Sequence, residues 1–275
     1  MDLRAYFERI GFVGEARPDL RTLVALHRAH LLAIPYENID VQLGRPVTTD
    51  PDAAFGKIVT RRRGGWCYEM NGVLGAALTE IGFSVTRLAG GVMRAVNGDE
   101  ATGNHLVLLV DVAAEPWIAD VGLGGGTLEP YPLAAGALSF AGYRFDLDHL
   151  DDGWWRLRNH PHFGAPSFDF QTSAAEPARL AERCAWLQTA PESIFVAHLI
   201  ANRYRENEIV QLVDRVVQRI TPERVKKSVI GSADELVATL AQDFGLDVPE
   251  ARDLWPSLLS RHDQAVTAAK AATKA

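Results

Sequence analysis

The chain has 275 residues, of which 47% are hydrophobic and 23% are charged, and its formal net charge is −7. This length and composition predict a substantial core shared between two or three lobes. The negative charge argues against nucleic-acid binding. No run approaches the ~18 apolar residues that a membrane span requires.

Only two cysteines are present, so we expect no disulfide framework and favour a reducing, cytoplasmic location. The first residues, Met-Asp-Leu-Arg-Ala-Tyr-Phe, lack the apolar core of a signal peptide. We therefore expect neither a nucleic-acid partner nor a membrane partner. The sequence leaves the oligomeric state open.

The first eighty or so residues have the pattern of helices. Pro18 and Asp19 stand where a helix begins, and an apolar stripe follows at helical spacing. Asp50-Pro51 predicts a second helix start, with the cap residue followed by proline at the first helical position. The stripe after Asp19 is made of Leu20, Leu23, Val24, His27 and Leu31.

After Gly82 the pattern changes to short apolar or alternating segments separated by turn residues. Such segments predict an antiparallel sheet or a small barrel. From residue 176 onwards helices return, with a Ser232-x-x-Glu235 capping box, although β-like runs interrupt them. The predicted strands are 83–88, 105–110, 117–121, 143–147 and 154–158; the predicted helices are 176–188, 233–243 and 249–260; the β-like runs are 194–199, 209–213 and 216–220.

The most informative segment is Arg61–Gly72, with the sequence Arg-Arg-Arg-Gly-Gly-Trp-Cys-Tyr-Glu-Met-Asn-Gly. Cys67 follows a Gly-Gly pair and begins an apolar stripe that predicts a helix buried on one face. A thiol in the first turn of a helix meets unpaired amides and the positive end of the dipole, which stabilise a thiolate. We expect the arginine run to add to this effect. Cys184, in a predicted helix without such flanks, is interpreted as a small buried hydrophobe.

A histidine and an aspartate supply the groups that a cysteine nucleophile needs. His105 begins one apolar strand and Asp120 ends the next. If Val110 lies opposite Glu115, leaving a four-residue loop, then His105 lies opposite Asp120 on the same face. A carboxylate that holds one ring nitrogen leaves the other free to accept a thiol proton.

Other candidate sites give weaker signals. His160-x-His162 lacks further ligands at metal spacing, so we predict a loop and no metal site. His27 and His30 are interpreted as residues on a helix face. Gly122–Gly126 follows a strand without opening a helix, so it is not a dinucleotide fingerprint. Its amides could line a phosphate or an acyl group, and a plain flexible loop is an equally good interpretation.

Together these motifs resemble the arylamine N-acetyltransferase family. The resemblance rests on Arg63–Gly72, Asn104-His105 and Asp120–Gly125, with Ile34–Asn38 and Thr189–Phe195 as further elements, and it covers nearly the whole chain. It implies an α+β fold. A helical bundle over residues 1–82 would carry the nucleophile, a central antiparallel β-barrel over 83–189 would carry the histidine and the aspartate, and an α/β lid would span 190–275.

The same resemblance implies a Cys67-His105-Asp120 triad and a ping-pong reaction. Acetyl-CoA, as a co-substrate and not a tightly bound cofactor, would acetylate Cys67, and an arylamine or arylhydrazine would then take the acetyl group. Carried over by position, the acceptor pocket would be lined by Tyr36, Met93, Leu123 and Phe195, and the amides of Gly124, Gly125 and Gly126 would lie near the CoA phosphates.

This sequence departs from the family pattern at three positions: Leu123 stands where an aromatic residue is common, Met70 where His or Gln is frequent, and Asn104 where Thr is usual. These differences bear on substrate preference and not on the triad. Two alternatives stay open at this point. One is a cysteine hydrolase or transglutaminase-like enzyme with the same triad. The other is a CoA- or aromatic-binding module in which Cys67 is structural.

Overall fold

The computed structural model describes residues 1–272, without the side chains of residue 263 and residues 265–272. Ten α-helices are found in this part of the chain, joined by short 3-10 and π turns. Their bounds are α1 Leu3–Ile10, α2 Leu20–Ala33, α3 Ile39–Gln42, α4 Pro51–Phe55, α5 Cys67–Ile81, α6 Arg94–Asn97, α7 Pro177–Thr189, α8 Ile194–Ala197, α9 Ala233–Thr239 and α10 Trp255–Ala272.

The predicted helix starts of the N-terminal part are confirmed. The Asp19 side chain accepts from the backbone of Thr22 at the start of α2, and Asp50 caps α4 with Pro51 in its first turn. Helix α5 begins at Cys67, as predicted, and ends before Gly82. The expectation that α5 is buried on one face is wrong. It packs against α1, α2 and α4 as well as against two strands, so it is buried on most of its sides.

Eight antiparallel strands form the central sheet, which curls into a nearly closed barrel, as predicted. The strand order is β5-β4-β3-β2-β9-β8-β7-β6, so the strands after Gly82 pair mostly with their neighbours in sequence. Helix α5 packs against β2 and β3, which brings the start of that helix to the strand that carries His105. The strands are β2 Ser84–Val92, β3 His105–Val112, β4 Glu115–Ala119, β5 Tyr131–Pro132, β6 Gly136–Phe140, β7 Tyr143–His149, β8 Trp155–Arg158 and β9 Ser167–Phe170.

The register predicted for the β3–β4 hairpin is wrong by two residues. Val112, and not Val110, lies opposite Glu115, so the loop consists of Ala113 and Ala114 alone. Both alanines have positive φ angles, 52° and 66°, which is the geometry of the tightest hairpin turn. Alanine rarely adopts this conformation, so the composition gave no sign of so short a loop. A shift of two residues keeps every side chain on its predicted face.

A second, five-stranded antiparallel sheet lies in the C-terminal part, with strand order β1-β10-β11-β12-β13. Its edge strand β1 comes from the N-terminal segment, where Tyr36 pairs with Asn202. Ser232 caps α9 as predicted, by accepting from the backbone of Glu235. The strands are β1 Tyr36–Glu37, β10 Ile200–Tyr204, β11 Ile209–Val213, β12 Val216–Ile220 and β13 Val225–Val229.

The β-like run predicted over residues 194–199 is wrong, because Ile194–Ala197 form one helical turn. Side chains from α3 and its N-cap explain the difference. The carbonyl of Phe195 accepts from Asn38 Nδ2 at 2.8 Å and from Gln42 Nε2 at 2.6 Å. These bonds replace the sheet partners that an apolar run would otherwise need.

The division of the chain at residues 82 and 189 stays a prediction. One continuous hydrophobic cluster includes Leu23, Leu108 and Ile209, so the three segments share a core. Within residues 1–272, no helix combines the length and the apolar composition that crossing a bilayer requires.

Candidate active site

Cys67 is the first residue of α5 and is buried, with 2% of its surface exposed. The amides of the first helical turn have no partners within the helix, so they surround the thiol with partial positive charge. The start of α5 is fixed by Glu69, whose carboxylate accepts from the backbone N–H of Trp66 at 3.2 Å. The sulfur lies 3.9 Å from the carbonyl oxygen of Asn104, the residue before His105.

His105 and Asp120 form a buried pair beside this thiol. His105 Nε2 lies 2.7 Å from Asp120 Oδ2, which leaves Nδ1 as the second ring nitrogen. Burial opposes a charge on the ring, but the negative charge of Asp120, its hydrogen bond and a hydrogen bond with Cys67 outweigh this, and the pKa of His105 rises to about 10. The arrangement therefore favours the imidazolium form of His105 at neutral pH.

The Asp120 carboxylate is held by donors on its other oxygen. Asn71 Nδ2 donates to Oδ1 at 2.8 Å, and the backbone N–H of Gly122 donates at 2.9 Å. Burial would raise the pKa of Asp120, but the charge and hydrogen bond of His105 and these two donors hold it below its usual value. Asp120 thus stays a carboxylate although it is buried.

Asn71 links helix α5 to β3 and to the segment just after β4. It lies on α5, one turn after Cys67, and is completely buried. Besides binding Asp120, its Nδ2 donates to the carbonyl of Leu106 at 2.6 Å, and its Oδ1 accepts from Val121 N–H at 2.9 Å. Asn71 belongs to the Arg63–Gly72 motif, but its contact with Asp120 was not predicted from the sequence.

His27 lies on a face of α2, as predicted, and this face is buried against Asp120, a contact that was not predicted. Its Nε2 accepts from the Asp120 backbone N–H at 3.1 Å, and its Nδ1 lies 3.1 Å from the carbonyl of Leu128. The ring is fully buried, and this burial lowers the pKa of His27 to about 4. His27 is therefore neutral, with its proton on Nδ1. Its place in the apolar stripe of α2 was the signal that it is buried.

Glycine is required where the chain passes Cys67. A Cβ on Gly122 would lie 2.6 Å from Cys67 Cα and 2.7 Å from Asn71 Nδ2, closer than real contacts allow. On the neighbouring strand, Gly90 pairs with His105, and a Cβ there would meet the ring at 3.2 Å. Because glycine has no side chain, Gly90 and Gly122 leave room for the thiol, the ring and the carboxylate to come together.

A cavity of about 510 Å³ opens beside Cys67 and His105. All four residues predicted to line an acceptor pocket border it: Tyr36, Met93, Leu123 and Phe195. Of the three predicted phosphate-binding glycines, Gly124 and Gly125 also line it. Gly126 does not, because its N–H and its carbonyl both bond the buried hydroxyl of Tyr204.

The arginine run Arg61–Arg63 does not face the thiol as expected. Arg63 pairs with the buried carboxylate of Glu37 at 2.9 Å, while the first two arginines of the run are exposed. A different cation lies near the start of α5: buried Lys57 Nζ contacts Glu69 Oε2 at 3.0 Å. Arg63 therefore belongs to an ion-pair network, and the helix start itself supplies the positive field at the sulfur.

Two other residues considered in the sequence, Cys184 and His160, are buried within the fold. Cys184 is a buried free thiol on α7, and burial raises its pKa to about 12, so it is a poor nucleophile at neutral pH. The His160 ring packs edge-on against Tyr143. Among residues 1–272, no group of three His, Cys, Asp or Glu side chains is arranged to hold a metal ion.

Comparison with known proteins shows which family the chain resembles. A sequence model of the N-acetyltransferase family matches residues 19–253. An arylamine N-acetyltransferase of Mycolicibacterium smegmatis is 36% identical over 257 residues, covering 90% of this chain and 93% of that protein. The Escherichia coli arylamine N-acetyltransferase is 31% identical over 254 residues, covering 91% and 90%.

Solved structures agree as well. The arylamine N-acetyltransferase of Mycobacterium marinum in complex with CoA has a TM-score of 0.85 and 31% identity, covering 96% of this chain and 99% of that one. The Salmonella typhimurium enzyme has a TM-score of 0.81 and 32% identity, covering 90% and 91%. The similarity extends over nearly the whole chain and the whole fold, so the protein belongs to the arylamine N-acetyltransferase family of acyltransferases.

Proposed function

We propose that this chain transfers the acetyl group of acetyl-CoA to arylamines and arylhydrazines through an acetyl-Cys67 intermediate. One observation carries the proposal: the Cys67 thiol stands at a helix start against His105, whose far nitrogen lies 2.7 Å from Asp120. This is the geometry of an activated cysteine nucleophile. The donor is suggested by the Mycobacterium marinum relative, which was solved with CoA.

In the first half-reaction His105 takes the thiol proton, and the Cys67 thiolate attacks the thioester carbonyl of acetyl-CoA. The tetrahedral oxyanion would be stabilised by backbone amides at the start of α5, including that of Cys67 itself. When the C–S bond to CoA breaks, the imidazolium returns a proton to the leaving thiolate. The products are free CoA and acetyl-Cys67, with His105 neutral.

In the second half-reaction the acceptor nitrogen attacks the acetyl-Cys67 carbonyl. His105 takes the proton that the nitrogen loses and returns it to the Cys67 sulfur as the C–S bond breaks. Asp120 stabilises the imidazolium in both half-reactions. The enzyme is regenerated, and the sole product of this step is the N-acetylated acceptor.

The cavity walls suit a flat apolar amine. Tyr36, Met93, Leu123 and Phe195 are the residues we propose to contact it. Burial raises the pKa of Tyr36 well above its ordinary value, so its hydroxyl stays protonated in the cavity. We further propose that the amides of Gly124 and Gly125 approach the CoA phosphates, and we do not extend this role to Gly126.

Mass spectrometry tests the intermediate directly. After exposure to acetyl-CoA without acceptor, we expect the mass to rise by about 42 Da at Cys67, and the adduct to disappear when an arylamine is added. Cys67→Ala should abolish both the adduct and the transfer. Cys184→Ala is the matched control and should retain both.

The hydrolase alternative makes a different prediction for the same experiment. A hydrolase would release free acetate at the same rate whether or not an amine is present. Acetyl-CoA consumption that depends on the acceptor, with N-acetylarylamine formed in equal amount, supports transfer. If no adduct forms and Cys67→Ala turns over as fast as the wild type, the proposed nucleophile is wrong.

A further inference from the structure

Arg183 borders the cavity without a carboxylate partner. It is on α7, borders the same cavity as Cys67, and its guanidinium carbon lies 4.1 Å from the centre of the Trp186 ring. Its Nε is buried and makes no hydrogen bond. Within the part of the chain that the structure describes, no carboxylate comes within ion-pair distance of its guanidinium.

A second arginine increases the positive charge at this place. Arg179 lies one helical turn before Arg183, and both side chains pack over Gly103, two residues before His105. Like charges four residues apart destabilise a helix. In a chain of net charge −7, two adjacent arginines without carboxylate partners leave a local positive patch beside the active site.

Arginine at such a position has specific chemistry. Its planar fork of N–H donors matches the paired oxygens of a carboxylate or a phosphate, and an aromatic ring under the guanidinium holds that fork in one plane. A buried N–H without a partner costs free energy that a bound oxyanion would recover. Glu192 also borders the cavity, yet it does not neutralise Arg183.

We propose that Arg183, held by Trp186, binds an oxyanion carried by a substrate in this cavity. The oxyanion is either a phosphate of the CoA donor or the carboxylate of an acidic arylamine acceptor. This inference rests on the proposed acetyl transfer for its substrates. It assigns to α7 a role in substrate selection that the triad does not supply.

The test separates the two sources with paired substrates. The donor arm compares acylation of Cys67 by acetyl-CoA with acylation by p-nitrophenyl acetate, which has no phosphate. The acceptor arm uses p-nitrophenyl acetate as donor and compares 4-aminobenzoate with 4-methylaniline, which has no carboxylate. Each arm is run with the wild type, Arg183→Gln and Arg183→Lys. The matched control is Arg4→Gln, which removes the same charge from a side chain that is 90% exposed on α1.

We expect Arg183→Gln to raise KM about 10- to 100-fold for the anionic substrate of one arm, because a charge-assisted bidentate contact is lost. KM for the neutral substrate of that arm should stay within about twofold. Arg183→Lys keeps the charge but loses the planar fork of N–H donors. Its KM for the anionic substrate should therefore lie between that of the wild type and that of Arg183→Gln. Arg4→Gln should behave as the wild type in all four reactions.

The proposal is overturned if anionic and neutral substrates respond equally in both arms. The melting temperature of each variant is measured alongside, and Arg183→Lys decides the question if Arg183→Gln does not fold. Calorimetric binding of free CoA and of 4-aminobenzoate needs no turnover. It therefore tests Arg183 even if Cys67 is never acetylated, which would refute the proposed transfer separately.

Discussion

Replacing Asn71 with alanine is the sharpest test of how the triad is held. The change removes three buried hydrogen bonds at once, to Asp120 (2.8 Å), Leu106 (2.6 Å) and Val121 (2.9 Å). A buried polar group that loses its partner costs about 1–3 kcal/mol, so three such losses sum to about 3–9 kcal/mol. Asp120 keeps its bonds to Gly122 and to the triad histidine, so we expect the lower end, a loss of about 3–4 kcal/mol in the free energy of unfolding.

The chain contains a matched control for this variant. Asn38 is also buried and also makes three hydrogen bonds, donating to Phe195 and His198, both at 2.8 Å, and accepting from Ile200 at 2.7 Å. None of these bonds touches the triad. Asn38→Ala should therefore lose stability to a similar degree while the contact between His105 and Asp120 stays intact.

The rate at which iodoacetamide alkylates Cys67 measures the reactivity of its thiol separately from the stability of the protein. The assay is run in a Cys184→Ala background, so that Cys67 is the sole thiol, and urea unfolding is followed in parallel. With Asp120 less firmly held, the imidazolium is less stabilised, and we expect Asn71→Ala to be alkylated about tenfold more slowly at pH 7. Asn38→Ala should react at the wild-type rate. Equal alkylation of the two variants would refute the claim that Asn71 acts on the triad through Asp120.

The remaining predictions concern the pH limits of stability and the glycines. Because the pKa of His105 rises from 6.5 to about 10 on folding, the free energy of unfolding should fall as pH increases from 6.5 to 10, and His105→Gln should flatten this slope. The pKa of His27 falls to about 4 on folding, so the free energy of unfolding should also fall as pH drops from 6.5 to 4. This fall should be less steep in His27→Gln. Unfolding curves measured across both pH ranges check the sign of each slope. Gly122→Ala should slow Cys67 acetylation at least about 100-fold, because the new Cβ would lie 2.6 Å from Cys67 Cα. Gly72→Ala, whose nearest contact is 4.0 Å, should retain acetylation and unfold at a melting temperature at or above that of the wild type.

The cysteine, histidine and aspartate that the structure brings together could be found from residue types, because the proposed chemistry limits the choice. One of the two cysteines begins a helix after a Gly-Gly pair, and few histidines stand at a strand end with an aspartate at the end of the next strand. The predicted register of the hairpin was wrong by two residues, but the predicted faces of its side chains were correct, since side chains alternate between faces with period two. A shift of one residue would have placed His105 and Asp120 on opposite faces. Strands β5, β6 and β9 were not predicted, and β5 has only two residues, too few to show any alternation.

The residues that hold the triad could not be found in the same way. His27 and Asn71 reach Asp120 across 93 and 49 positions of the chain, and both also bond to backbone atoms, which every residue type offers equally. No pattern in the sequence selects one backbone carbonyl over another as a partner. What the sequence did contain was a histidine in an apolar stripe and an asparagine one turn after the nucleophile. Each is a buried polar group, and a buried polar group needs a partner. A buried histidine or asparagine should therefore be expected to have a hydrogen-bond partner before that partner is known. Here both residues bind Asp120, His27 at its backbone N–H and Asn71 at its carboxylate.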